Sequence, residues 1–123
     1  MILLDTDIII DVLRNKKEAV EFFSVRQSEI HIIHPIMLEL LAGARNRAEA
    51  ELIQKKIDLS ILEIDEGIWQ RAREIIIEYG YSHGTGIIDS LIAATALEYD
   101  FELYSNNEKH YQPIAALRYK KAY

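Results

Sequence analysis

The chain has 123 residues, half of them apolar and 28% charged, with a net charge of −6 and no cysteine. That fits one globular domain with a sizeable core, and it excludes a disordered chain, a disulfide framework, a thiolate zinc site and a cysteine nucleophile. The N-terminal MILLDTDIII has no basic n-region and no apolar run reaches the length of a membrane span, about 18 residues, so the chain reads as a soluble cytoplasmic domain with no membrane partner.

Met1–Leu4 is a short apolar run and reads as a buried strand ending at Asp5. Thr6–Leu13 suits a helix capped by the acids before it, and Glu18–Arg26 continues as an amphipathic helix. Ile30–His34 reads as a second strand, and Pro35 opens a helix that carries Ile36, Leu38, Glu39, Leu40 and Leu41 to Gly43. Asn46–Asp58 is a polar helix, and Ser60–Ile64 alternates as a third strand. Asp65 caps a helix over Gly67–Tyr79, followed by a loop over Tyr81–Gly86 and a strongly apolar helix over Ile87–Tyr99. Glu102–Ser105 is a fourth strand, and a helical turn near His110 and a strand around Arg118–Lys121 close the chain. No repeat or linker interrupts residues 1–123, so a single domain is expected. Strands alternating with helices predict an α/β domain with a mainly parallel sheet of four to five strands, whose ligands sit beyond the strands' carboxyl ends. Asp5, His34, Asp65 and Ser105 occupy those ends.

Residues 1–103 hold 19 acids and 10 bases, whereas residues 104–123 hold Glu108 against Lys109, Arg118, Lys120 and Lys121. The overall sign argues against a broad nucleic-acid footprint. The asymmetry is compatible with an acidic metal site beside a small phosphate-contacting rim. Most acids lie on polar faces, and Asp65 and Glu66 open a helix, where a carboxylate complements the dipole. Three stand in apolar frames: Asp5 after the first strand, Glu39 between leucines in PIMLELLAG, and Asp89 in GIIDSLIAATA. A buried carboxylate destabilises the fold by several kcal/mol unless it is paired or bound to a cation, and few bases are near in sequence. Each acid has a plainer reading as a cap or a helix-surface residue; the set of three points to a hard divalent cation, Mg²⁺ or Mn²⁺. Asp7 either supports that site or caps a helix.

As a set, LLDTDIIIDVL, PIMLELLAG and IIDSLIAATALEYDFELYSNNEKHY resemble the PIN-domain family, most closely the VapC-type toxins of toxin–antitoxin systems, over essentially the whole chain. The resemblance implies a three-layer α/β/α domain, metal-dependent endoribonuclease activity, an antitoxin partner whose basic side chain reaches the acidic site, and a homodimer. It places Asp5, Glu39 and Asp89 at the family's metal site, with Thr6 as the small hydroxyl residue beside the first acid and Asp7 where Asn is more frequent. Ser105 matches a Thr/Ser, and Asn107 stands where many members have a fourth acid, so a full second-metal site is in doubt. His110 matches a frequent His or Asp before an aromatic and reads as a surface or packing residue. Lys109, Arg45 and Arg47 are candidate RNA-phosphate contacts. Phe22, Phe23, Leu38 and Leu41 are candidates for an exposed contact face. The competing readings are a non-catalytic interaction module on the same fold and a DNA- or structure-specific nuclease.

Overall fold

The computed structural model describes residues 1–123. Five strands, β1 (Ile2–Leu4), β2 (Ile30–Ile33), β3 (Ser60–Leu62), β4 (Glu102–Tyr104) and β5 (Tyr119–Lys120), form one sheet in the order β3-β2-β1-β4-β5. Every neighbouring pair is parallel. The helices are α1 (Thr6–Leu13), α2 (Lys17–Arg26), α3 (His34–Ala42), α4 (Arg47–Lys56), α5 (Glu66–Ile75), α6 (Tyr81–His83), α7 (Ile87–Tyr99) and α8 (Glu108–Tyr111). α1 packs on α2 and α3, and α3 on α4, while α5 packs on α7. Parallel strands joined by right-handed crossovers put those two groups on opposite faces, which gives the three layers. No helix is long and apolar enough to cross a membrane.

The central strand is the most apolar, and Ile2, Leu3 and Leu4 are fully buried. β3, at the edge, is only partly covered, as expected of a strand with one free side. In α7 every residue from Ser90 to Ala96 is buried; a helix apolar all round belongs in the interior. The chain proceeds from β1 to β2 and β3 on one side, then returns to place β4 on the other side of β1. The crevice at the carboxyl ends of β1 and β4 is therefore the switch point where open α/β sheets bind ligands.

Several element ends differ from the sequence reading: α4 stops at Lys56 rather than Asp58 and β3 at Leu62 rather than Ile64. His34 is the first residue of α3 rather than the last of β2, because Pro35 fits the first helical turn. The expected loop over Tyr81–Gly86 is helical as far as His83: α5 runs through a π-helical turn over Ile76–Gly80 into α6 and stops at Gly84, which adopts a left-handed φ of 70°. Gly80 does not end the helical run but lies inside it, where a Cβ would stand 3.2 Å from Ile76 Cγ2 and 3.3 Å from the Thr85 carbonyl.

Candidate metal centre

Asp5 leaves β1 as the N-cap of α1, so one residue both ends the central strand and starts the helix. Its Oδ1 accepts the Thr6 N–H at 2.7 Å, and its Oδ2 accepts the Ser105 hydroxyl, from the end of β4, at 2.8 Å. The residue is only 5% exposed. Burial, followed by the charge of Asp7, raises its pKa to about 6, against the opposing bonds from Ser105 and Thr6; Asp89 adds a smaller push in the same direction. Burial also raises the pKa of Asp7.

Asp7 is a clamp. Oδ1 accepts the Ile8 N–H at 2.8 Å and Oδ2 the Asn106 N–H at 3.0 Å, which ties the start of α1 to the segment after β4. Ser105 lies farther from it, at 3.4 and 3.5 Å, than from Asp5. Asn107 donates its backbone N–H to Ser105 Oγ at 2.9 Å, so that hydroxyl is fixed as acceptor on one side and donor to Asp5 on the other.

Asp89 enters from the first turn of α7 and is half-buried. Its Oδ2 lies 2.8 Å from His110 Nδ1, and its Oδ1 accepts the hydroxyl of Tyr111 at 3.1 Å. The Asn107 side-chain amide stands 2.9 Å from the same His110 nitrogen. No lysine or arginine pairs with Asp5, Asp7, Glu39 or Asp89; the lysines and arginines that do form ion pairs form them with other acids.

Glu39 corrects part of the sequence argument. It is exposed on α3, as is Leu38 beside it at 65%, so the leucine frame does not bury it. It joins the site through Thr6, whose hydroxyl donates to Glu39 Oε1 at 2.8 Å. As the side chains stand, no three of the chain's His, Asp and Glu residues converge on one point. The donor set nevertheless suits a hard divalent ion in kind. It is made of carboxylate oxygens that no lysine or arginine pairs with, and the most buried of them, its pKa raised to about 6 by burial and by its acidic neighbours, is largely charged at neutral pH and held against that charge.

His110 is not a detached surface residue: it partners Asp89, and the earlier assignment to surface or packing fails there. Tyr111, fully buried, carries no sequence signal that separates it from a core aromatic; only its hydroxyl marks it as part of the site. Of the candidate phosphate contacts, Arg45 pairs with Glu49 at 2.8 Å and Arg47 with Glu51 at 3.0 Å, both on the surface, while Lys109 on α8 is exposed. A groove of about 650 Å³ between α1, α3 and α4 includes Glu39, Arg14, Arg45 and Lys56 in its lining, but not Arg47. Phe22, Phe23 and Leu41 pack against the core, which leaves Leu38 as the exposed member of the expected contact face.

A model of the PIN domain matches residues 2–114. The chain belongs to the PIN domain family. No curated protein sequence matches it. Its fold is similar to that of a chain in a toxin–antitoxin complex from Klebsiella pneumoniae, with a TM-score of 0.85, 23% identity, and coverage of 100% of this chain and 98% of that one. A chain of DNA-bound VapBC from Salmonella typhimurium gives 0.81 at 24% identity, covering 99% and 98% of the two chains. A chain of FitAcB from Neisseria gonorrhoeae gives 0.78 at 21% identity, also covering 99% and 98%. This PIN domain thus matches those chains almost end to end, with an α/β/α sandwich over a wholly parallel sheet.

Proposed function

We propose that this PIN domain is a divalent-metal-dependent endoribonuclease acting as the toxin of a VapBC-type toxin–antitoxin pair. The observation that carries the reading is the buried, uncompensated Asp5 at the sheet's switch point, with Asp89 near enough to add to its charge. Asp5, Asp89 and Glu39 would hold Mg²⁺ or Mn²⁺. Such an ion, when bound, polarises a phosphate and lowers the pKa of a coordinated water. The protein's own part is orientation. Ser105 fixes Asp5, Thr6 holds Glu39 at the rim of the groove, and His110 and Tyr111 fix Asp89. Asp7 and Asn106 keep β4 and α1 in register beneath the site. Asn107, held by Ser105 and His110, takes the place of a further acid without adding charge.

The phosphate backbone would approach along the groove, where Arg14, Arg45 and Lys56 offset the −6 net charge locally. Lys109 would contact the strand on the opposite side of the site; Arg47, outside the groove, is the weakest of these candidates. The antitoxin would occupy the same groove over Leu40 and Ile53 and present a basic side chain to the acids. Ile77, Tyr81 and Ile87, exposed by 75%, 92% and 71% around the α5–α7 turn, support a homodimer through that face. An RNA substrate would place the activity in the cytoplasm.

The test is cleavage of a structured RNA and of DNA of the same sequence by the purified chain and by Asp89→Asn, with Mg²⁺ present. RNA cleavage by the parent alone supports the proposal. DNA cleavage favours the rival nuclease, and no cleavage of either by folded protein favours the interaction module.

A further inference from the structure

Asp89 is placed by side chains from outside its own helix. Tyr111, the last residue of α8, is fully buried, and its hydroxyl donates to Asp89 Oδ1 at 3.1 Å. The phenol ring stacks on Tyr119 of β5, with centroids 6.1 Å apart and planes 23° from parallel. Tyr119 is itself anchored, its hydroxyl donating to the Ser105 carbonyl at 2.8 Å. The hydroxyl that meets Asp89 therefore comes from a braced ring rather than a mobile chain.

Phenylalanine would fill the ring's volume equally well, so packing alone gives no reason for the oxygen. A buried hydroxyl requires a partner, and the partner here is a site carboxylate. The phenol carries the proton of that contact, so it is the donor and the carboxylate oxygen the acceptor. A carboxylate rotates easily about its last bond. Tyr111 donates to Oδ1 and His110 Nδ1 stands 2.8 Å from Oδ2, so Oδ1 has one donor and retains a second lone pair.

We propose that Tyr111 is a positioning residue of the metal centre: its hydroxyl holds the Asp89 carboxylate in one orientation, and so strengthens divalent-cation binding without touching the ion. This rests on reading the acids as a metal centre. Groups that orient metal ligands typically change affinity or activity by about 10- to 100-fold when removed.

The test is calorimetric titration of Mn²⁺ into metal-free parent protein, Tyr111→Phe, Asp89→Asn and Tyr99→Phe, with the thermal midpoint of each measured in parallel. Tyr99 is the control, because its hydroxyl bonds the Glu63 carbonyl just after the edge strand β3 and none of the site's acids. The expected result is that Y111F binds Mn²⁺ about tenfold more weakly, Y99F binds as the parent does, and D89N does not bind. Parent-like binding by Y111F, with D89N defective, overturns the role of Tyr111 and leaves the metal centre standing. Absence of Mn²⁺ binding by the parent, or undiminished binding by D89N, overturns the metal centre and this proposal with it. Should Y111F alone fail to fold, Tyr111→Met takes its place: it also removes the hydroxyl, and the same two affinities decide.

Discussion

Asp5→Asn should make the metal-free protein more stable at pH 8 while removing its function. The Asp5 carboxyl titrates near 6 instead of 3.8, because it is buried beside Asp7. A folded-state pKa above the unfolded one means that the folded chain binds the proton more tightly. The charged carboxylate therefore destabilises the fold at pH values above about 6, and the penalty fades as pH falls from about 6 towards 4. The shift corresponds to about 3 kcal/mol at pH 8. Asparagine removes the charge and still accepts the Thr6 N–H, but Ser105 must turn from donor to acceptor. Loss of a charge-assisted bond offsets about 1–2 kcal/mol of the gain. The net stabilisation is then about 1–2 kcal/mol, or roughly 3–8 °C in Tm for a domain of this size. The assay is urea unfolding of EDTA-treated parent and D5N at pH 8 and pH 4. The expected difference is present at pH 8 and absent at pH 4. Adding Mg²⁺ at pH 8 should stabilise the parent and not the variant. A destabilised D5N at pH 8, or a gain equal at both pH values, would refute the argument that Asp5 is held against its charge.

Ser105→Ala removes the hydroxyl that fixes both Asp5 and the Asn107 backbone; kcat for RNA cleavage should fall about tenfold with KM for RNA little changed, as steady-state kinetics will show. Arg45→Glu places an acid in the groove beside Glu39 and should weaken RNA binding several-fold at low salt, whereas Arg47→Glu, outside the groove, should not; fluorescence anisotropy with D89N protein separates them. Ile77→Lys should turn a dimer into a monomer by light scattering, and an unchanged mass would remove the α5–α7 face as the interface.

Much of this fold is legible in the residues because each element's local chemistry agrees with its place. ILL ahead of Asp5 can only be a short buried strand, and Ser90–Ala96 is too apolar to face water. The helical run past Tyr79 is not legible because a glycine reads as a helix end, whereas Gly80 lies within the helix, where a Cβ would crowd Ile76 and the Thr85 carbonyl. At the site, the apolar sequence frame marks Asp5, which is buried, and Asp89, which is half-buried between His110 and the Tyr111 hydroxyl. The same frame misleads at Glu39: the leucine beside it faces solvent, and its tie to the site is the Thr6 hydroxyl. Asp7 could be read as ligand or cap, and only its bonds to Ile8 and Asn106 show it as a clamp between two distant segments. The pairing of His110 and Tyr111 with Asp89 is not legible, because they stand more than twenty positions away and the return of the chain through β4 brings them together.

Metal-dependent RNA cleavage by these acids is the property to measure first. One structured RNA should be incubated with the purified chain in Mg²⁺, in EDTA, and in EDTA followed by excess Mn²⁺, beside Asp89→Asn in each condition. A catalytic metal centre at Asp5, Glu39 and Asp89 requires cleavage in Mg²⁺, none in EDTA, recovery with Mn²⁺, and none by D89N throughout. Cleavage that persists in EDTA, or that D89N performs as well as the parent, would contradict it.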